Sequence, residues 1–518
     1  MIRRQGCGTH PHRDISYYGP GRWSNEPAKF KKRVATLSDP VHNSGGRNQA
    51  RNYPAPDETQ RETGGKEMAR MDSDMTEGNI WMHLLRFSVP MAIGLLFQQL
   101  YNTVDTLVVG QFVGKQAQAA VGSTGPIINT VVGFCAGLAT GASVVISQRY
   151  GAHDDEGLSK AVHTTVALTF LMSVIATVIG QLIILPMLRF MQTPEDVIGE
   201  SASYLSIYFA GISGILFYNL GSGILRAVGD SKRPLYFLIL SALLNTVLDL
   251  LFVLAFGMKV DGVALATVLS QILSALLILF TLSREKGNYG IRWRKLRVDR
   301  DSLRQILRLG LPSSIQAAIT SFSNVFVQSY INAFGSACMA GYGVYGKIDA
   351  FALIPVQSIS MSSTTFVGQN WGARKIARAR EGVRTATFMS LIATATLGLL
   401  VFLLARPLMT VFSPEEDVIE YGIRFIRIVT PFYLAVCFNQ IYAGALRGAG
   451  DATMPTVIML ASFVVFRQIY LAVTKALGAG FIAVALAYPV GWILCSTLLV
   501  LRYSRSELVR GQRLEVRG

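Results

Sequence analysis

The chain has 518 residues, 51% of them hydrophobic and only 15% charged. A soluble protein carries nearer a quarter charged residues, and the short alternating segments of a transmembrane β-barrel do not occur, so the composition specifies an all-α, polytopic membrane protein. The net charge of +16 is spread over short stretches between apolar runs, which argues against a nucleic-acid partner.

Residues 1–78 are polar, rich in Arg, Gly, Pro and Asn, and without apolar periodicity. They read as a disordered basic leader, and they contain no apolar core of a signal peptide. Twelve spans follow, at 83–112, 116–148, 159–188, 198–225, 234–257, 261–283, 304–334, 338–368, 378–408, 417–446, 455–478 and 480–503. Most are long enough to cross about 30 Å of hydrocarbon as helix. Loops after even-numbered spans carry Arg149, Lys160, the basic linker 284–303, and Arg374, Lys375, Arg378 and Arg380. Opposite loops offer only scattered charges such as Lys115, Lys259 and Lys475. The bias places both termini, the linker and the tail 505–518 in the cytoplasm.

The chain repeats itself. "LRAVGDSKRP" at 225–234 returns as "LRGAGDATMP" at 446–455, and "QRYGA" at 148–152 as "QNWGA" at 369–373, both offset by 221 residues. "LRFSVP" at 85–90 returns as "LRLGLP" at 307–312, offset by 222, and Asn102 then matches Asn324. Two homologous lobes of six spans are expected, 79–283 and 304–504. Because six is even, they are parallel repeats, an architecture that places a transport path between lobes. In the LRxxGD element, Gly229 and Gly450 suit a helix C-terminal turn, with Asp230 and Asp451 near the next helix start.

The first lobe concentrates polar oxygens at one depth. Asp105 lies in the first span, about eight residues or roughly 12 Å from its outer end. Asn245 and Asp249 are four apart on the fifth span and so share a helical face, and Thr267 lies near that depth in the sixth. Two acids in a low dielectric cannot both stay ionised cheaply, so the set suits a shared proton or a small hard cation. The alternative is that the two acids only hydrogen-bond helices together. The second lobe has Val327, Phe466 and Tyr470 where Asp105, Asn245 and Asp249 would fall. It contains instead Lys347, Asp349 and Arg467, and an Asp349–Arg467 pair is expected. Asn102, Asp349 and Arg467 are the candidates for a substrate path.

Enzymatic chemistry has little support. Cys7, Cys135, Cys338, Cys437 and Cys495 lack pairing or metal spacing, and the six histidines form no HExxH-type ligand pair. No Walker A sequence is present, so neither direct ATP drive nor a cofactor is expected.

With "FSVPMAIGLLFQQLYNTVDTLVVGQFVG", "GQNWGA" and both LRxxGD elements, the sequence resembles bacterial members of the multidrug and toxic compound extrusion (MATE) transporters over about 75–505. The resemblance implies export of varied, often cationic and amphiphilic compounds in exchange for Na⁺ or H⁺. It also implies a cation site made by a first-helix acid, an Asn and an acid on the fifth helix, and a sixth-helix Thr, which here are Asp105, Asn245, Asp249 and Thr267. Some members carry a second-lobe acid in the seventh helix, where this chain has Thr320. The expectation is therefore a monomeric antiporter for small molecules in a bacterial inner membrane, working by alternating access. The alternative reading is a flippase for a lipid-linked precursor.

Overall fold

The computed structural model describes residues 74–510 apart from Gln192, and for a few helical residues, Asp105 among them, the backbone alone. The first half consists of α1 (Ile80–Val108), α2 (Lys115–Gly151), α3 (Asp155–Phe190), α4 (Glu195–Ala210), α5 (Ile212–Ala227), α6 (Lys232–Leu250) and α7 (Val260–Arg284). The second consists of α8 (Arg300–Asn332), α9 (Ser336–Ala352), α10 (Ile354–Gly372), α11 (Ile376–Leu403), α12 (Ala405–Phe412), α13 (Glu416–Val429) and α14 (Tyr433–Gly448). It continues with α15 (Thr453–Leu460), α16 (Arg467–Ala476), α17 (Phe481–Ala485) and α18 (Ala487–Ser504).

Among the described residues nine helical stretches are long and apolar enough to cross a membrane unaided, and the bent pairs α4–α5 (48°) and α9–α10 (41°) bring the number to eleven. The twelfth is α8, which is long but polar in sequence. Its exposed large residues, Leu307, Leu311, Ile315, Ile319, Phe322 and Phe326, recur every three to four positions and form one apolar stripe. Ser313, Ser314 and Ser323 are buried on its other sides. Span α3 shows the same arrangement, with Phe170, Val174, Val178 and Leu182 exposed. On its buried face Thr165, Thr169 and Ser173 each donate their hydroxyl to the carbonyl four residues back, at 2.8 Å. Small hydroxyls satisfied within their own helix let helices approach closely without an orphaned donor.

Two expected boundaries move. The linker is shorter than 284–303, because α7 runs to Arg284 and α8 starts at Arg300. It is also docked: the Arg292 N–H donates to His163 Nε2 at 3.0 Å and the Asp299 N–H to Thr164 Oγ1 at 3.0 Å. The leader was expected to extend to residue 78, yet Asp74–Gly78 is built into the protein. Met75 is 2% exposed and packs with Leu84, Phe366 and Val383. Lys375 Nζ donates to the Thr76 carbonyl, and Arg378 to those of Met75 and Glu77. Three of these five residues, Met75, Thr76 and Glu77, have backbone groups whose partners lie 290 and more positions away. The remainder of the leader lies outside the described residues.

We call the end of the molecule that holds this strap, the linker and both repeated LRxxGD turns the base. Those turns are alike. Gly229 and Gly450 have φ of +93° and +94°, and the N–H groups of Asp230 and Asp451 donate to the carbonyls of Leu225 and Leu446, each at 2.9 Å. This is the left-handed C-terminal turn that the glycines suggested.

Candidate cation site and the seam between the halves

In the first half, α1 and α6 each end in a π-helical turn, Val109–Val113 and Leu251–Ala255. The Gly114 N–H donates to the Val109 carbonyl at 3.1 Å and the Phe256 N–H to that of Leu251 at 3.2 Å, five residues back in both cases. Asp105 and Asp249 therefore stand just before the two places where their helices widen. Such turns recur at functional sites because they re-aim side chains within a helix.

Asn245 and Asp249 are fully buried on one face of α6, and Thr267 on α7 is 3% exposed. The residues around them pack as one cluster. It contains Val104, Val108 and Val109 of α1 and its π turn, Leu250 and Val253 beside Asp249, Val263 and Ala264 of α7, and Tyr204 and Tyr208 of α4. The helix segments bearing all four expected residues are thus gathered in one place. The Asp105 side chain is outside the described atoms, while its backbone continues α1 between Val104 and Val108.

Two details bear on chemistry. The Thr267 hydroxyl donates to the Val263 carbonyl at 3.0 Å, so its oxygen lone pairs remain available to a ligand. The side-chain oxygen and nitrogen of Asn245 have no hydrogen-bond partner among the described residues. An orphaned buried amide costs about 1–3 kcal/mol per group, so a buried amide without a partner among the described residues points to a donor or acceptor beyond them. Among the described residues no three His, Cys, Asp or Glu come together in a metal-binding group. The donor set is one of hard oxygens.

The second half differs. Val327, at the position of Asp105, is fully buried in an apolar core. The expected Asp349–Arg467 pair does not form. Asp349 Oδ1 accepts two phenol hydroxyls, from Tyr345 at 3.1 Å and Tyr433 at 2.6 Å. Arg467 is 5% exposed and follows a third π turn, Ala461–Phe466. Its Nη2 donates to Ser323 Oγ at 3.2 Å and Asn324 Oδ1 at 2.9 Å, and its guanidinium lies 5.2 Å from the centre of the Tyr488 ring. Neutral partners hold each charged group, Asp349 from α9 and α14 and Arg467 from α8 and α18, so the two do not meet. Asn102 is exposed on α1, and Lys347 lies over the Phe412 ring.

The halves meet along α2 and α8, and the closeness of that seam changes along its length. Gly122 and Gly125, far from the base, have no described atom within 4 Å of a Cβ built on them, nor do Gly343 and Gly346 on α9. A Cβ on Gly133 would stand 3.5 Å from Ala317, one on Gly137 2.3 Å from the Ser314 nitrogen, and one on Gly141 2.3 Å from the Gly310 nitrogen. At the base, a Cβ on Gly151 would lie 1.9 Å from the Gln369 carbonyl oxygen, and one on Gly372 1.9 Å from that of Gln148. Glycine is required there because backbone meets backbone. The halves form a wedge, tight at the base and parted at the opposite end.

The same motifs lock the base. Gln148 Nε2 of the first half donates to the Gly448 carbonyl of the second at 2.8 Å, and Gln369 Nε2 donates back to the Ala227 carbonyl at 2.9 Å. Ala227 and Gly448 are the last residues of α5 and α14, where helices leave carbonyls unsatisfied. Each half thus caps a helix end of the other. The common offset of 221 marked both motifs as repeats. Nothing local marked them as partners.

These features define a polytopic helical membrane transporter with two related halves and a cleft between them. The MatE family model matches twice, over residues 90–251 and 312–474, once in each half. The probable multidrug resistance protein YoeA of Bacillus subtilis is 32% identical over 392 residues, covering 74% of this chain and 84% of the relative. YpnP of the same organism, also a probable multidrug resistance protein, is 29% identical over 438 residues, covering 84% and 98%. Among solved structures, a MOP superfamily transporter from Pyrococcus furiosus superposes with a TM-score of 0.80 at 25% identity, covering 84% of this chain and 98% of that one. The chain belongs to the MATE family of multidrug efflux transporters.

Proposed function

We propose that this transporter is a secondary antiporter that exports cationic, amphiphilic small molecules in exchange for Na⁺ or H⁺. The observation that carries the reading is the buried amide of Asn245, without a partner among the described residues, one helical turn from the buried Asp249. With Thr267 and Asp105 these residues offer a small cation four hard oxygen-bearing side chains. Alternatively, the two carboxylates share a proton, because two like charges in a low dielectric destabilise one another.

Coupling follows from the wedge. The parted end is the outer face, both termini and the linker are cytoplasmic, and the host membrane is a bacterial inner membrane. In this orientation the base is closed and the cleft exchanges ligands with the outside. Cation entry neutralises the first-half carboxylates and favours a state in which the drug is held less well. Two ligands with opposite preferences for two states are thereby coupled. The transporter works as a monomer, since both halves of the path come from one chain.

The test is transport of a fluorescent cationic dye in everted vesicles under separate Na⁺ and H⁺ gradients. Asp105→Asn and Asp249→Asn should insert at least as well as the parent, because a buried carboxylate costing about 2.5–3.5 kcal/mol has been removed. Both should lose gradient-driven export, while Asn245→Ala and Thr267→Ala should only weaken it. Export near the parent level in both Asp→Asn variants would sink the proposal.

A further inference from the structure

Away from the cation site, a groove of about 770 Å³ opens on the flank of the molecule near the base, between α1 of the first half and α11, α14 and α18 of the second. One face of α11 grades from charge to hydrocarbon. Arg380, Arg384 and Phe388 are exposed and follow each other at four-residue steps, about 6 Å apart along the helix. Trp81 meets Phe388 edge-on at 5.9 Å between ring centres, and Tyr442 meets Tyr503 edge-on at 4.7 Å. Arg384 makes no ion pair among the described residues. Among the described lining residues Glu381 is the only acid against two arginines, so that described polar end is net positive.

We propose that this groove is a specific site for an anionic glycerophospholipid of the leaflet at the base. The arginine pair at the polar end matches a phosphate diester by charge, and Arg384 presents a guanidinium fork to it. The Trp and Tyr rings suit the level where headgroup meets acyl chain, and the apolar stretch beyond Phe388 continues along one chain. Arginine, aromatic ring and hydrocarbon follow one another in the order in which a phospholipid presents their complements. The net positive lining selects an anionic headgroup over a zwitterionic one. A lipid seated there touches both halves at once.

The experiment uses the full-length protein in neutral detergent, stripped of native lipid. Native mass spectrometry and thermal unfolding are read after adding phosphatidylglycerol, phosphatidylethanolamine or phosphatidylcholine in turn, with inorganic phosphate as a separate arm. Phosphatidylglycerol should be retained roughly tenfold better than the other two and should raise the unfolding temperature. The double variant R380Q/R384Q should drop it to the level of phosphatidylcholine, and R380K/R384K should keep most of the preference. Equal retention of the three lipids would overturn the proposal and leave an unselective lipid contact. So would a glutamine variant that still selects phosphatidylglycerol. Stabilisation by inorganic phosphate equal to that by the lipid would assign the arginines to a free anion and overturn it as well. A cationic dye that displaces none of the bound phosphatidylglycerol supports it, whereas stoichiometric displacement would make the groove a drug path.

Discussion

Replacing the two bridging glutamines one at a time measures what holds the base shut. Gln148→Ala removes the donor to the Gly448 carbonyl, and Gln369→Ala removes the donor to the Ala227 carbonyl. Gln369→Ala also removes the acceptor that its Oε1 offers the Met75 N–H at 2.9 Å. A buried backbone group left without a partner costs about 1–3 kcal/mol, so the expected losses are about 2 kcal/mol for Gln148 and about 4 kcal/mol for Gln369. Since both bridges exist only while the base is closed, the open-base population should rise roughly 30-fold in the first variant and several hundredfold in the second. Pulsed electron spin resonance between labels at Lys160 and Arg505, on opposite halves, reads that population directly. Longer distances should grow in both variants, and more in Gln369→Ala. Unchanged distance distributions in two well-folded variants would refute the capping argument, and equal shifts would refute the part assigned to the Met75 strap.

Two further outcomes concern the turns. Gly229→Ala and Gly450→Ala place a side chain at φ near +93° and should each lower stability in detergent by about 1–2 kcal/mol, read as a fall in unfolding temperature. Asp154 and Asp299 cap α3 and α8 by accepting the N–H groups of Gly157 and Ser302, and these bonds hold both carboxyls below their usual range. Their support is complete above the ordinary carboxylate value and is withdrawn as pH falls through the lowered folded value. The double variant Asp154→Ala/Asp299→Ala should therefore unfold earlier than the parent near neutral pH, by about 1 kcal/mol per cap, with the gap closing as pH falls below the ordinary carboxylate range. A gap that persists in acid would contradict the capping role.

Much of this architecture was legible because its signals are local. Apolar runs gave the spans, a fixed offset gave the two repeats, and Gly before Asp gave the paired turns. The four-residue spacing of Asn245 and Asp249 placed them on one buried face before any helix had been packed. What escaped depends on partners remote in sequence. Asp349 and Arg467 look like a pair only until Tyr433, Ser323 and Asn324 are brought in from other helices. Met75 looks like the end of a polar leader until a pocket formed by α1, α10 and α11 encloses it. The α8 sequence is weakly apolar because only its outward stripe needs hydrocarbon, while its other sides pack on α2 and on helices of its own half.

The crossed bridges at the base carry one more implication. Gln148 reaches Gly448 and Gln369 reaches Ala227, so the contact is made twice with the roles of the halves exchanged. Such exchange is the mark of an isologous interface, the kind formed when one chain pairs with its own copy about a two-fold axis. A single six-helix unit carrying one QxxGA and one LRxxGD element would bring to a homodimer everything these bridges need. Fusion of two copies would keep that dimer contact intact while freeing each half to change separately, and Asp105 and Asp249 standing opposite Val327 and Tyr470 are differences of that kind.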